Sequence, residues 1–224
     1  MTSITSSGQL TKTPFIRRYS PDDADAVADI CVRTADAGAD ATGIYRDPAI
    51  LSDLFAAPYA VLDPGLAFVL DDGTGLDDGT GNAVGYVLGT DDTQRFAERF
   101  RTEWLPEVAD RHDAAPEGKP SNADELMAWL LHHPERLLVP GLEAYPAHMH
   151  IDLLPSHQGL GFGRALVDRL VAELAQRAAP AVHVGMLTAN ASARRFYDRL
   201  GFHVIPIDDP DLTYLGLRVG LTAG

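Results

Sequence analysis

Residues 148–164, HMHIDLLPSHQGLGFGR, run from a strand-like alternation into a turn with glycines at 159, 161 and 163, and then into a helical pattern. The helix is expected over residues 161–178. Leu166, Val167, Leu170, Val171 and Leu174 fall on one face, and Asp168, Arg169, Glu173, Gln176 and Arg177 on the other. Residues 181–186, AVHVGM, then read as a second strand. Strand, glycine turn, helix and strand make a βαβ crossover, which demands an α/β fold with two locally parallel strands. Open α/β sheets bind ligands at the carboxyl ends of such strands, where this turn lies. With no side chains at the three glycines, several N–H groups can converge at the positive end of the helix dipole and cradle a phosphate. A tight turn that binds nothing has the same local pattern, so the rest of the chain has to decide between them.

A strand is expected at residues 15–19, and Ser20-Pro21-Asp22-Asp23 starts a helix that runs to about residue 35. Residues 44–59 are helical or irregular. The buried strand at 66–70 pairs as a hairpin with 83–89 through a Gly- and Asp-rich turn over 71–82. That turn loosely resembles calcium loops but lacks the twelfth-position Glu and the regular oxygen spacing, so no metal is expected there. Residues 93–145 form a helical insertion between the third and fourth main strands, and both Trp104 and Trp129 lie in it. It is either a substrate lid or a satellite core. A short helix over 190–200, ended by Gly201, and a strand pair at 202–207 and 213–219 close the chain. One domain over 14–224 is expected, preceded by a flexible Ser/Thr-rich tail at 1–13.

With 32 acidic against 18 basic residues and a formal charge of −14, attraction to nucleic acid or to an anionic membrane is excluded as a working expectation. A cationic small molecule or peptide suits that charge better. No apolar run reaches the roughly 20 residues that span a bilayer, and no signal-like segment opens the chain, so a cytoplasmic protein is expected. The single cysteine, Cys31, sits in an apolar helical pattern with Val27 and Ile30 and reads as a buried structural thiol.

Gln158-Gly159-Leu160-Gly161-Phe162-Gly163 matches Q/R-x-x-G-x-G/A, and Asn190, Ala193, Phe196-Tyr197 and Leu200-Gly201-Phe202 match N-x-x-A-x-x-F/Y-Y-x-x-x-G-F downstream. Both motifs in order around one βαβ unit resemble the GNAT N-acetyltransferases. The resemblance implies a GNAT fold: a mixed central sheet splayed at the cofactor site, with flanking helices. It implies acetyl-CoA as cofactor, with the pyrophosphate on the amides of Gln158, Gly159, Leu160, Gly161, Phe162, Gly163 and Arg164. Backbone groups of Leu153 and Leu154 would bind the thioester oxygen and the pantetheine arm. Asn190, with Ala193 and Phe196 beside it, would lie near the thiol end, and Tyr197 would protonate the CoA thiolate. More narrowly, the insertion and the 137–151 stretch look like the acetyltransferase-like C-terminal domain of O-GlcNAcase and its free-standing bacterial relatives. A Rossmann-type dinucleotide turn competes for the same glycines, but its third glycine is missing and the turn comes late in the chain.

The base that deprotonates the acceptor stays open at this point. His148, His150 and Asp152 alternate along one strand and share a face. Asp152 lies one residue before the thioester-binding backbone, His150 has the better unperturbed pKa, and a water chain is the third choice. The same three residues at strand spacing are too far apart for a metal site. The expected activity is acetyl transfer to a primary amine by direct attack. No covalent enzyme intermediate is expected, since Cys31 lies far from both motifs in sequence. The alternative is an acetyl-CoA-binding module or interaction domain with little transferase activity, and the protein is expected as a monomer or homodimer.

Overall fold

The computed structural model describes residues 13–74 and 81–220. Nearly all of the expected tail, and residues 75–80 of the Gly/Asp-rich turn, lie outside the described residues. The chain opens with β1 (Phe15–Arg18), a 3-10 turn at Pro21–Asp23 and α1 (Ala24–Val32). The Ser20 N–H donates to Asp23 Oδ2 at 2.8 Å, which ties down the helix start. α1 stops three residues earlier than expected, because the chain turns through Ala37 (φ 50°) and Gly38 (φ 93°). The Thr34 hydroxyl donates back to Ile30 O at 2.8 Å and satisfies a carbonyl of the last turn. Then come α2 (Ala49–Phe55), α3 (Ala57–Leu62), β2 (Ala67–Asp71) and β3 (Ala83–Thr90). The insertion holds α4 (Thr93–Arg99), a π-helical turn at Phe100–Trp104, α5 (Leu105–Val108) and α6 (Ala123–His132). The closing half is β4 (Ala147–Leu153), α7 (Phe162–Gln176), β5 (Ala181–Leu187), α8 (Ala191–Arg199), β6 (His203–Val204) and β7 (Leu212–Arg218).

These strands form one mixed sheet in the order β1-β2-β3-β4-β5-β7-β6, antiparallel except at β4–β5. β4 and β5 pair only at Ala147↔Val182 and His148↔His183, although each strand has seven residues, so they diverge beyond His148. This is the expected splay.

Alternation along β4 divides the chain between two cores. Met149, with partly buried Ile151 and Leu153, packs toward Leu166, Val167, Leu170 and Leu174 of α7. On the opposite face Tyr86 and Leu88 of β3 pack with Ile30, Leu54 and Tyr59. Each fully buried side chain of this kind contributes roughly 1.5–3 kcal/mol. Phe96, Phe100, Met127 and Leu131 of the insertion belong to that second core. The Trp104 indole donates to Asp53 O at 2.8 Å, and Trp129 stacks on His133. Of the two readings of the insertion, packing is what its helices do here. No described helix is long and apolar enough to cross a membrane.

Candidate active site

A cleft of about 810 Å³ runs from the glycine turn along the β4–β5 gap. Ile151, Asp152 and Leu153 of β4 line it, with Gln158, Gly159, Gly161, Gly163 and Arg164 of the turn and Asn190, Ala193, Phe196 and Tyr197 of α8 and its cap. The two sequence motifs therefore meet across one opening. Gly159 (φ 72°) and Gly161 (φ 90°) hold left-handed backbone that other residues rarely adopt, and Gly161 is the N-cap of α7. A Cβ at either position would meet nothing within 4 Å, whereas one at Gly163 would stand 3.0 Å from Phe196 Cε2. The third glycine thus lets α8 close on α7, while the first two shape the turn itself. Leu160 is 65% exposed at its tip. Phe162 packs toward the α7 core.

Backbone polarity along β4 follows from the ladder register. Gly85↔Leu153 and Tyr86↔Asp152 are opposed, and the Leu154 N–H donates to Val84 O at 2.9 Å. Antiparallel pairs alternate between hydrogen-bonded and not. Asp152 and Leu154 therefore spend their backbone groups on β3, and Leu153 turns its own toward the gap. Of the two leucines expected to bind the thioester through free backbone, Leu153 offers a free N–H and Leu154 does not. The Leu153 carbonyl accepts from Gln158 Nε2 at 2.8 Å, which pins the turn to the strand end. Asn190 is also occupied. Its Oδ1 accepts the Ala193 N–H at 2.9 Å as the cap of α8, and its Nδ2 donates to Ala37 O at 3.0 Å. That second bond draws the loop after α1 over the cleft, where Thr34, Ala37, Gly38 and Ala39 form a wall.

Asp152 Oδ2 accepts the Tyr86 hydroxyl at 2.6 Å. Burial pushes the Asp152 carboxyl up to about 6, partly offset by the hydroxyls of Tyr86 and Thr34. Its proton affinity therefore lies close to neutrality. Tyr197 is buried between Phe196 and Phe202, with ring centroids at 5.1 and 5.2 Å, and its hydroxyl has no hydrogen-bond partner among the described residues. Burial, with the Asp152 charge behind it, raises the phenol, so it stays protonated through the neutral range.

His150 is disposed differently. His148 Nδ1 lies 2.7 Å from Thr93 Oγ1, whose proton goes to Pro146 O at 2.7 Å. His148 must then donate from Nδ1 and accept at Nε2 from Tyr59 OH, 2.7 Å away. The Tyr59 oxygen in turn accepts from His150 Nε2 at 3.0 Å. One directional chain orients both imidazoles as neutral rings, and burial lowers His150 to about 4. Between the two candidate bases, the carboxylate has the higher proton affinity.

Cys31 lies far from the motifs in sequence yet sits beside Tyr86, within reach of the Asp152 charge. Sequence distance therefore does not separate it from the site; burial pushes the thiol up to about 12. The residues that sequence reasoning missed are Tyr86, Thr34 and the 37–39 wall. They reach the site across strands or from the loop after α1, and only the β3–β4 register signals the first of them.

The profile of the family described as "FR47-like protein" matches residues 120–209. The crystal structure of SsHAT is 53% identical, with a TM-score of 0.86, and the match covers 92% of this chain and 98% of that one. More distant structures share the fold. The yncA protein of Salmonella typhimurium, solved with its cofactor acetyl-CoA, is 17% identical over 95% of this chain and 97% of that one, with a TM-score of 0.51. A chain of the NatC complex bound to Gag peptide and CoA is 9% identical over 92% and 98%, also at 0.51. The narrower likeness to the O-GlcNAcase domain rests on the sequence of the insertion and of residues 137–151, and these matches do not confirm it. With the splayed β4–β5 pair, the glycine turn and Tyr197 around one cleft, and a relative of this identity along nearly its whole length, the chain belongs to the GNAT family of N-acetyltransferases.

Proposed function

We propose that the protein transfers an acetyl group from acetyl-CoA to a primary amine by direct attack, with Asp152 as base and Tyr197 as acid. The observation that carries this reading is that both line the one cleft that also holds the glycine turn. The glycine turn suits a pyrophosphate: Gly159 and Gly161 leave its surface without side chains, and the α7 N-terminus brings a positive dipole end. Arg164 and Arg199 line the same cleft without a carboxylate partner among the described residues. Bound acetyl-CoA supplies the activated thioester.

The chain's own groups account for the rest. On this reading the Leu153 N–H donates to the thioester oxygen, where charge develops during attack. Asp152, near neutral in proton affinity, takes the proton from the incoming amine as the N–C bond forms. Tyr197 gives its proton to sulfur as the C–S bond breaks. Counted from the neutral amine, which is the form that attacks, protons and charge balance: one proton leaves nitrogen, one reaches sulfur, and solvent returns Tyr197 and Asp152 to their starting states.

The test is release of free CoA thiol from acetyl-CoA over a panel of amines, with acetyl-CoA binding measured separately by calorimetry. Amine-dependent release supports the enzyme. Tight binding without release on any amine supports the binding-module alternative.

A further inference from the structure

Arginines on this acidic protein generally meet carboxylates: Arg17 meets Asp23 and Asp71, Arg99 meets Glu103, and Arg177 meets Asp91. Arg164 and Arg199, at the proposed phosphate cradle, are exceptions, and Arg218 lies over the Tyr145 ring at the surface. Arg136 is a further exception and is of another kind. Its Nε donates to Leu130 O at 3.2 Å, which caps the end of α6. Among the described residues neither terminal nitrogen of its fork has a protein acceptor, and neighbouring Glu135 is taken by Arg101.

Arg136 is half-buried, its terminal nitrogens are not closed off from solvent, and partial burial lowers its proton affinity. It stands 6.0 Å from the Phe55 ring centroid, and Phe55 in turn lies 5.8 Å from His150. Its charge acts on Tyr59, His148 and His150, and also on Tyr214 of β7. Tyr214 covers Gly185 of β5, where a Cβ would stand 3.2 Å from the ring. Arg136 therefore stands on the His150 face of β4, beside Phe55 and just outside the residues that line the Asp152 cleft. A recessed guanidinium fork with no protein carboxylate on it matches the paired oxygens of a carboxylate or phosphate.

Resting on the acetyl-transfer reading, we infer that the acceptor is an amine that also carries an anionic group, held by the Arg136 fork while its nitrogen meets Asp152. His150 and Asp152 are two positions apart on β4, about 6–7 Å, and Phe55 adjoins both His150 and Arg136, so the fitting acceptor is a chain molecule with its amine and its anion at opposite ends. This charge pattern is opposite to the polycationic acceptor that net charge alone favours.

The experiment titrates four probes into the CoA-loaded protein by calorimetry: 6-aminohexanoate, 3-aminopropyl phosphate, 6-aminohexanamide and 1,6-diaminohexane. Tighter binding of one anionic probe than of the amide and the diamine, by tenfold or more, is expected, and which anion wins separates carboxylate from phosphate. Arg136→Gln is expected to abolish that ratio with CoA affinity unchanged, and Arg136→Lys to keep part of it. Equal binding of all four, preference for the diamine, no binding of any probe, or a ratio that survives Arg136→Gln overturns the inference. The wild-type ratio alone decides the matter if the variants do not fold. Failure of CoA to bind would instead remove the acetyl-transfer reading, and the same titrations on CoA-free protein still report on Arg136.

Discussion

On the α7 side of the β4–β5 gap the protein offers backbone: a turn with two left-handed glycines, a helix start and the Leu153 N–H. On the α1–α3 side it offers side chains that hold one another, with Tyr86 on Asp152 and Tyr59 between His148 and His150. A backbone cradle is made by a few consecutive residues and tolerates little change at its glycines. A side-chain network is assembled from four or five separate elements, and its properties come from burial. On the acetyl-transfer reading, the first region would hold the shared cofactor and the second would set which proton moves and which acceptor fits.

Substitutions on the two sides should therefore separate affinity from rate. The largest effects are expected at Asp152→Asn and Tyr197→Phe. Positioned acid–base groups contribute about 10²–10⁴-fold, so kcat should fall at least 100-fold with acetyl-CoA affinity unchanged in calorimetry. If affinity falls while kcat holds, the two sides have been assigned the wrong way round.

Burial on the side-chain side has a second consequence, measured as stability against pH. His150 is lowered from 6.5 to about 4, and His148 and His183 are lowered as well. Their neutral forms stabilise the fold fully above the unfolded value, and that stability is lost as pH falls through this window. The His150 share is at most about 3 kcal/mol. Asp152 has the opposite sign: its carboxyl is raised to about 6, so its neutral form favours folding at low pH and that favour is lost as pH rises from about 4 to 6. Denaturant midpoints should drop between pH 6.5 and 4, and His150→Gln should make the drop shallower. A variant as acid-sensitive as wild type would show that His150 is not the group that matters.

On the backbone side, Gly161→Val forces a β-branched residue to φ 90° and puts methyl groups over the turn. About tenfold weaker CoA binding is expected, with the far-ultraviolet circular dichroism kept. Unchanged affinity would mean that the phosphates bind elsewhere.

This division also explains what could be read from the chain. The glycine turn, α7 and the α8 motif are local patterns, and the structure places them close to where periodicity and spacing put them, whereas the splay is what the family resemblance implied. The side-chain network was legible only in part. Asp152, His148 and His150 declare a shared face by alternation, but Tyr86 opposite Asp152 needs the β3–β4 register. That register also separates Leu153 from Leu154, and no propensity encodes it. Asn190 carries the family pattern, yet its side chain is spent on Ala193 and Ala37. Proximity of the loop after α1 to α8, 153 residues later, comes from topology alone.

The central claim is that one cleft joins acetyl-CoA to an amine through Asp152. The pH dependence of amine-driven thiol release, kcat/KM in wild type and Asp152→Asn side by side, tests it most directly. Expressed per neutral amine, wild-type kcat/KM should rise tenfold per pH unit below a midpoint near 6 and level off above it, with the residual activity of Asp152→Asn lacking that limb. Release that is independent of amine, or a limb near 6 that persists in Asp152→Asn, would contradict the account.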